Sequence, residues 1–208
     1  MSIPEARFVA GNPKVHIYDS AYTGTPNWDI GRPQRAFVQV EAAGWIRSPV
    51  LDVGCGTGEL SLYLARRGHE VLGIDLSPQA IRHARGKARW RRIDAQFLVW
   101  DALRIHEFTT GGLRFQTVVD SAMYHIFGPT ERDWFVDELS AVLPPGGRYL
   151  VLGDAKQDSR SLYGLSPTEL RDRFRTEDGW EIEFSVRTTF ERRYSRNLAY
   201  LVGIRRSQ

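Results

Sequence analysis

The chain has 208 residues, enough for one domain with a full-sized core, and its 42% hydrophobic and 25% charged residues are ordinary for a folded globular protein. Its 28 Lys and Arg face 25 Asp and Glu, a formal charge of +3 that gives little support to a whole-surface field for nucleic acid. A single cysteine, Cys55, excludes an internal disulfide framework and a multi-cysteine metal site.

Residues 1–14 show no clear period and are expected to be a mobile tail. The start has no apolar core of signal-peptide length, and no later run approaches the ~20 residues of a membrane span, so a cytoplasmic protein is expected. Residues 17–34 carry their apolar weight in rings, Tyr18, Tyr22 and Trp28, interspersed with Gly24 and Gly31. Such a segment suits either a cover over a pocket or a packed N-terminal arm. From Pro33, the positions Phe37, Val40 and Gly44 predict a helix with proline in its first turn.

Val50-Leu51-Asp52-Val53 is a strand-type run that breaks into alternating glycines, Gly54, Gly56 and Gly58, and Leu60, Tyr63 and Leu64 then start an amphipathic helix. Glycine suits the loop because it takes positive φ and lets a ligand approach the backbone. The helix start offers unpaired N–H groups. A second strand, Val71-Leu72-Gly73-Ile74, ends in Asp75, 21 residues after Gly54, the distance at which an acid reaches ribose hydroxyls.

Ser77 and Pro78 cap the next helix, whose buried side is Ala80, Ile81, Ala84 and Ala88. Residues 82–92 hold five arginines and a lysine without an acid, which reads either as a solvated helix face or as a phosphate-binding footprint. Phe97-Leu98-Val99-Trp100 is the third strand, followed by Asp101-Ala102. Residues 115–120 form the fourth, leading through Asp120-Ser121-Ala122-Met123-Tyr124-His125. A helix opens at Thr130-Glu131-Arg132-Asp133 in capping-box style and stops at Pro144-Pro145-Gly146-Gly147. Residues 148–152 give the fifth strand and 155–164 a loop near the site. A short helix follows to about Phe174, with Ser166 as N-cap and Glu169 as its reciprocal glutamate. Residues 180–186 and 198–204 alternate as a terminal antiparallel pair.

The dinucleotide pattern G-x-G-x-x-G would need glycine at position 59, where Glu59 places a carboxylate in the first helical turn. The pattern Asp52-x-Gly54-x-Gly56-x-Gly58 followed by Asp75 instead resembles the class I S-adenosylmethionine (SAM) dependent methyltransferases, whose cofactor has no phosphate; a glycine-rich turn of another α/β protein is the competing reading. The resemblance covers roughly residues 33–206. It implies a seven-stranded, mostly parallel Rossmann-like sheet with a C-terminal antiparallel hairpin and helices on both faces, in a single methyltransferase domain over 1–208, with 1–34 as arm or lid and 35–208 as catalytic core. It also implies that Asp52, Gly54 and Gly56 pass under the methionine part of the cofactor and that Asp75, with Leu76 beside it, holds the ribose. Asp101 and Ala102 then neighbour the adenine, and Asp120 and Ser121 complete the cofactor site. Residues 26–34 resemble the lid of small methyltransferases of the thiopurine and tellurite-resistance branches, which assigns Trp28 and Gly31 to that lid.

A sulfonium methyl donor is already activated, so alignment of the acceptor can supply much of the barrier reduction without a dedicated nucleophile. Base C5 methylation would need a cysteine after the fourth strand, and amino methylation of bases or glutamine resembles Asn-Pro-Pro-Tyr there; this chain has Asp120-Ser121-Ala122-Met123. A metal-assisted acid cluster cannot be assembled beyond Asp120, so no metal is expected. Methylation of O, N or S in a small, aromatic or apolar acceptor remains, with no membrane partner and no nucleic acid expected. His125 is the candidate general base, with a histidine packed under the lid and bonded to backbone as the alternative; Tyr124 is expected to shape the pocket. A non-catalytic SAM-binding regulator and an RNA methyltransferase using residues 82–92 are the rival functions.

Overall fold

The chain is described by a computed structural model over residues 12–158, 161 and 163–208, so residues 1–11 of the tail expected over 1–14 lie outside the described residues. Its centre is built from short strands that are buried along their whole length. β1 (Val50–Val53) and β2 (Val71–Asp75) have no exposed position, because both sheet faces are covered. β3 (Gln96–Val99) pairs parallel with β2, while β4 (Thr117–Ser121) and β5 (Arg148–Asp154) extend the parallel sheet from the other side of β1. β6 (Trp180–Glu191) and β7 (Arg196–Arg206) close it, with β7 antiparallel between β5 and β6. The order is β3-β2-β1-β4-β5-β7-β6, the expected seven-stranded sheet.

Successive strand residues serve opposite layers. Leu51, Val118, Tyr149 and Val151 pack with Phe135 and Leu139 of α5 (Pro129–Val142) and Leu170 of α6 (Pro167–Arg173). Val50, Val119, Leu150 and Leu152 pack instead with Phe37 and Val40 of α2 (Arg35–Ala42) and with Leu60 and Leu64 of α3 (Glu59–Arg66). α4 (Pro78–Arg91) adds Ile81, Ala84 and Ala88 to a smaller cluster with Leu62 and Phe97. Ser77 caps α4 by accepting from the Ala80 N–H at 3.0 Å, as its sequence predicts.

Several local expectations are corrected. The segment read as tail and aromatic arm contains a helix, α1 (Pro13–Ala21), capped by Asn12, whose Oδ1 accepts from the Lys14 N–H at 3.0 Å. α2 ends before Gly44, which takes φ +76° beyond the helix. α5 starts one turn-residue earlier than expected: Gly128 has no side chain to cap with, and Glu131 Oε2 alone closes the turn by accepting the Gly128 N–H at 3.0 Å. The Glu169 carboxylate turns away from its helix start to bind the buried Arg132 at 2.6 Å. The terminal strands run well past the expected bounds and meet in a tight turn, where the Arg192 N–H donates to the Ser195 carbonyl at 2.8 Å.

Candidate active site

The strand order reverses between β1 and β4, so the connections leaving their carboxyl ends diverge and open a crevice. A cavity of about 340 Å³ lies there, a size that suits a small-molecule site. It is lined by Asp52, Gly54 and Gly56 of the β1 loop, Asp75 and Leu76 after β2, Asp101 and Ala102 after β3, and Ser121 and His125 after β4. Trp28 lines it from the arm; Gly31 does not, although its neighbours Ile30 and Arg32 do. Asp120 and Tyr124 are also absent from the lining.

The glycine loop is a backbone cradle. Gly54 has φ +65°, and a Cβ there would lie 2.9 Å from Met123 Cβ, an atom that cannot swing away. Gly56 has φ +55°, and a Cβ would come within 3.0 Å of the Tyr22 hydroxyl. Asp75 ties this loop to the next strand: one carboxylate oxygen accepts the Gly56 N–H and the other the Ser77 N–H, each at 2.8 Å. Burial raises the Asp75 pKa, and those two N–H groups oppose the rise. Each oxygen retains a lone pair for a ligand.

Asp52 and Asp120 are a buried acidic pair on adjacent strands. Asp52 accepts from the Ser61 hydroxyl at 2.6 Å, and burial, with Asp120 nearby, pushes it up to about 7. Asp120 rises to about 6 by burial, offset by the N–H groups of Met123 (2.7 Å) and Tyr124 (2.9 Å) and the Tyr149 hydroxyl (2.8 Å). Direct cofactor contact by Asp120 is therefore corrected to a structural place: its carboxylate organises the turn that carries Ala122 at φ +73° and Met123 into the cavity wall. Tyr124 is likewise corrected. It points into the core at 1% exposure, beside Phe135 and Tyr149 and under the Arg132 guanidinium, because the 3₁₀ turn Tyr124–Ile126 rotates it away from the crevice.

His125 faces the cavity, but its Nδ1 accepts the Asp154 backbone N–H at 2.9 Å. Burial lowers its pKa to about 4; the Asp154 carboxylate opposes this, and Arg192 and Arg132 add to it. The geometry is that of the backbone-bonded histidine rather than of an imidazole with Nδ1 free to take a proton.

The arm supplies residues that the sequence reading missed. Asn12 Nδ2 donates to Asp101 Oδ2 at 3.0 Å, while Asp101 Oδ1 accepts the Leu103 N–H at 2.9 Å. Asp19 receives the Ser77 hydroxyl at 2.7 Å and the Gln79 N–H at 2.8 Å, which seats α1 on the start of α4. Thr57 donates to Asp29 at 2.7 Å, and Trp28 Nε1 donates to the Tyr22 hydroxyl at 3.2 Å. Arg32 forms a two-pronged pair with Glu191 at 2.9 and 3.0 Å, and Gln34 bonds the Glu191 backbone in both directions. Asn12-Pro13 repeats the Ser77-Pro78 cap signal, which was available in the sequence; Glu191 and Arg192 had no local signal. None of the described residues within 155–164, a loop expected near the site, lines the cavity; the Gly164 N–H instead donates to the His125 carbonyl at 2.8 Å.

Part of the basic run is occupied internally. Lys87 and Arg91 both bind Glu59 at the start of α3, and Arg85 donates to the Phe97 carbonyl. Among the described residues no group of three or more His, Cys, Asp or Glu side chains is placed to hold a metal ion, and no helix is long and apolar enough to cross a membrane.

Residues 50–147 match a family described as a methyltransferase domain. A 2-heptyl-1-hydroxyquinolin-4(1H)-one methyltransferase from Mycobacteroides abscessus is 33% identical over 144 residues, 65% of this chain and 63% of that protein. A demethylmenaquinone methyltransferase from Thermus thermophilus is 39% identical over 105 residues, 50% of this chain and 46% of its own length. The chain thus spans about half to two thirds of the curated relatives it matches. A solved structure concerned with conversion of a disulfide bond into a thioacetal group during echinomycin biosynthesis is 34% identical, with a TM-score of 0.81 and 93% of each chain covered.

Proposed function

Since this chain belongs to the class I SAM-dependent methyltransferases, we propose that it transfers a methyl group to an oxygen, nitrogen or sulfur atom of a small, aromatic or apolar acceptor. The observation that carries this reading is the continuity of one cavity: it runs from the Gly54–Gly56 loop and Asp75 to an apolar wall of Trp28, Phe127 and Phe190. The residues fit the cofactor. The loop is a cradle that a Cβ would fill, Asp75 has lone pairs for a ribose diol, and the buried acid Asp52 lines the cavity where a cation relieves its desolvation.

When bound, SAM supplies an electrophilic methyl group. The protein's own work is to seat the donor on the Gly54–Gly56 backbone, hold the acceptor against the Phe127 and Phe190 rings, and keep water away with the arm over residues 12–34. Alignment in such a site is worth up to roughly 7–11 kcal/mol in favourable cases. The hydroxyquinolinone in one relative's name and the disulfide in the related structure's description both support an acceptor bearing a heteroatom. Residues 26–34, including Trp28 and Gly31, serve in this reading as the lid.

The test is acceptor-dependent formation of S-adenosylhomocysteine by the purified protein, with a panel of phenols, hydroxyquinolinones, aromatic thiols and disulfides read by mass spectrometry. Turnover with members of this panel is expected. Turnover with RNA alone, accompanied by binding that falls steeply with salt, would overturn the reading in favour of the basic helix as footprint.

A further inference from the structure

His125 is held from several sides. Gly153 makes room for it, since a Cβ there would stand 2.8 Å from His125 Cβ and 3.0 Å from Nδ1. The Asp154 N–H donates to Nδ1 at 2.9 Å, and the His125 carbonyl accepts from the Gly164 N–H at 2.8 Å and Arg132 Nη2 at 3.2 Å. The Phe190 ring stands 6.3 Å away, centroid to centroid. A neutral imidazole whose Nδ1 accepts a backbone N–H carries its proton on Nε2. The charged groups facing the ring are Asp154, which favours imidazolium, and Arg192 and Arg132, which disfavour it along with burial; the ring stays neutral down to about pH 4. Nε2 has no protein partner among the described residues and is not one of the sealed, unpartnered polar atoms, while the residue lines the cavity.

We infer that His125 is a fixed hydrogen-bond donor to the methyl acceptor, presenting Nε2–H to a lone pair on or beside the atom that is methylated, and that it does not take the acceptor's proton. This rests on the methyltransferase reading above and narrows it to an acceptor class. Arg32 is paired with Glu191, Arg192 with Asp154 and Lys14 with Glu131, so the cations of the wall are already neutralised. Phe127 and Phe190 supply the apolar surface. The matching acceptor is an aromatic molecule with an oxygen, nitrogen or sulfur lone pair and no need for a counter-charge. Any proton on the acceptor atom is lost to bulk solvent, before the acceptor is enclosed or after the product leaves.

The inference is tested on ¹⁵N-histidine-labelled full-length protein saturated with S-adenosylhomocysteine, using long-range ¹H–¹⁵N correlation from pH 5 to 8, with His125→Gln to assign the resonance. The expected result is a protonated Nε2, an unprotonated Nδ1 and no titration in that range. Adding 4-nitrophenol as probe is expected to move the His125 Nε2 resonance. In parallel titration calorimetry, His125→Gln, which keeps a donor near the Nε2 position, binds 4-nitrophenol within about threefold of wild type, and His125→Phe loses about tenfold, the loss of one hydrogen bond. A proton on Nδ1, a titration near pH 6.5, an Nε2 resonance unmoved by the probe, or equal affinities of the Gln and Phe variants each overturns the donor role. None of these readouts needs turnover, so failure of the methyl-transfer reading shows separately, as absent S-adenosylhomocysteine formation.

Discussion

Asp75 carries the most quantitative expectation. Its carboxylate is only 8% exposed, and each oxygen already accepts one backbone N–H at 2.8 Å, from Gly56 and from Ser77. The remaining lone pairs face the cavity, where a ribose diol would donate. Hydrogen bonds to a charged group are worth about 1.5–3 kcal/mol, so Asp75→Ala is expected to weaken S-adenosylhomocysteine binding about 10- to 150-fold. Asp75→Asn is not a silent isostere here. Its amide nitrogen would oppose the Gly56 or Ser77 N–H, leaving a donor unpaired at a stability cost of about 1–3 kcal/mol, whereas Ala opens both donors to water. Titration calorimetry and urea unfolding on the same preparations separate the two effects. A folded Asp75→Ala protein with wild-type affinity would refute the ribose assignment, and an Asn variant as stable as wild type would refute the double role in the loop.

The buried acids predict linkage. The folded-state pKa values of Asp52 and Asp120, about 7 and about 6, lie above the ordinary aspartate value of 3.8. Their contribution to the stability of the unliganded protein is fully present below about pH 4 and is lost as pH rises through 6 to 7. A cation bound beside Asp52, which lines the cavity, favours its carboxylate, so SAM binding near pH 6.5 is expected to release protons. Calorimetry in phosphate and in Tris should then give different apparent heats; identical heats would contradict the linkage. Arg132 is 2% exposed and bonds Glu169, the His125 carbonyl and the Gly164 carbonyl. Arg132→Met is expected to cost about 3–5 kcal/mol in urea unfolding, because Glu169 loses its buried partner, and Arg132→Met/Glu169→Gln to recover part of it. A single-variant loss below about 1 kcal/mol would show that the network contributes little.

Local chemistry made much of this protein legible from its residues. The β1 run, the alternating glycines, the Leu60 and Leu64 stripe and the acid at the end of β2 are each specified within a few positions, and so are the Ser77-Pro78 cap and the antiparallel terminal pair. α1 was missed because its ring, Tyr18, faces the cavity and the helix therefore draws no apolar stripe toward the core. Tyr124 was misplaced because adjacent residues of a 3₁₀ turn point in different directions, and which one meets the crevice depends on the turn's orientation. The sequence by itself thus determined the strand-loop-helix units and the residue types at the strand ends, since both follow from backbone sterics and short-range periodicity. Only the tertiary structure decided the rest. The proton position on His125 is set by a backbone N–H 29 residues away, and the arm is fastened at Gln34 to Glu191, 157 residues away. Contacts across such separations are made by the packing of whole layers, and no local pattern encodes them.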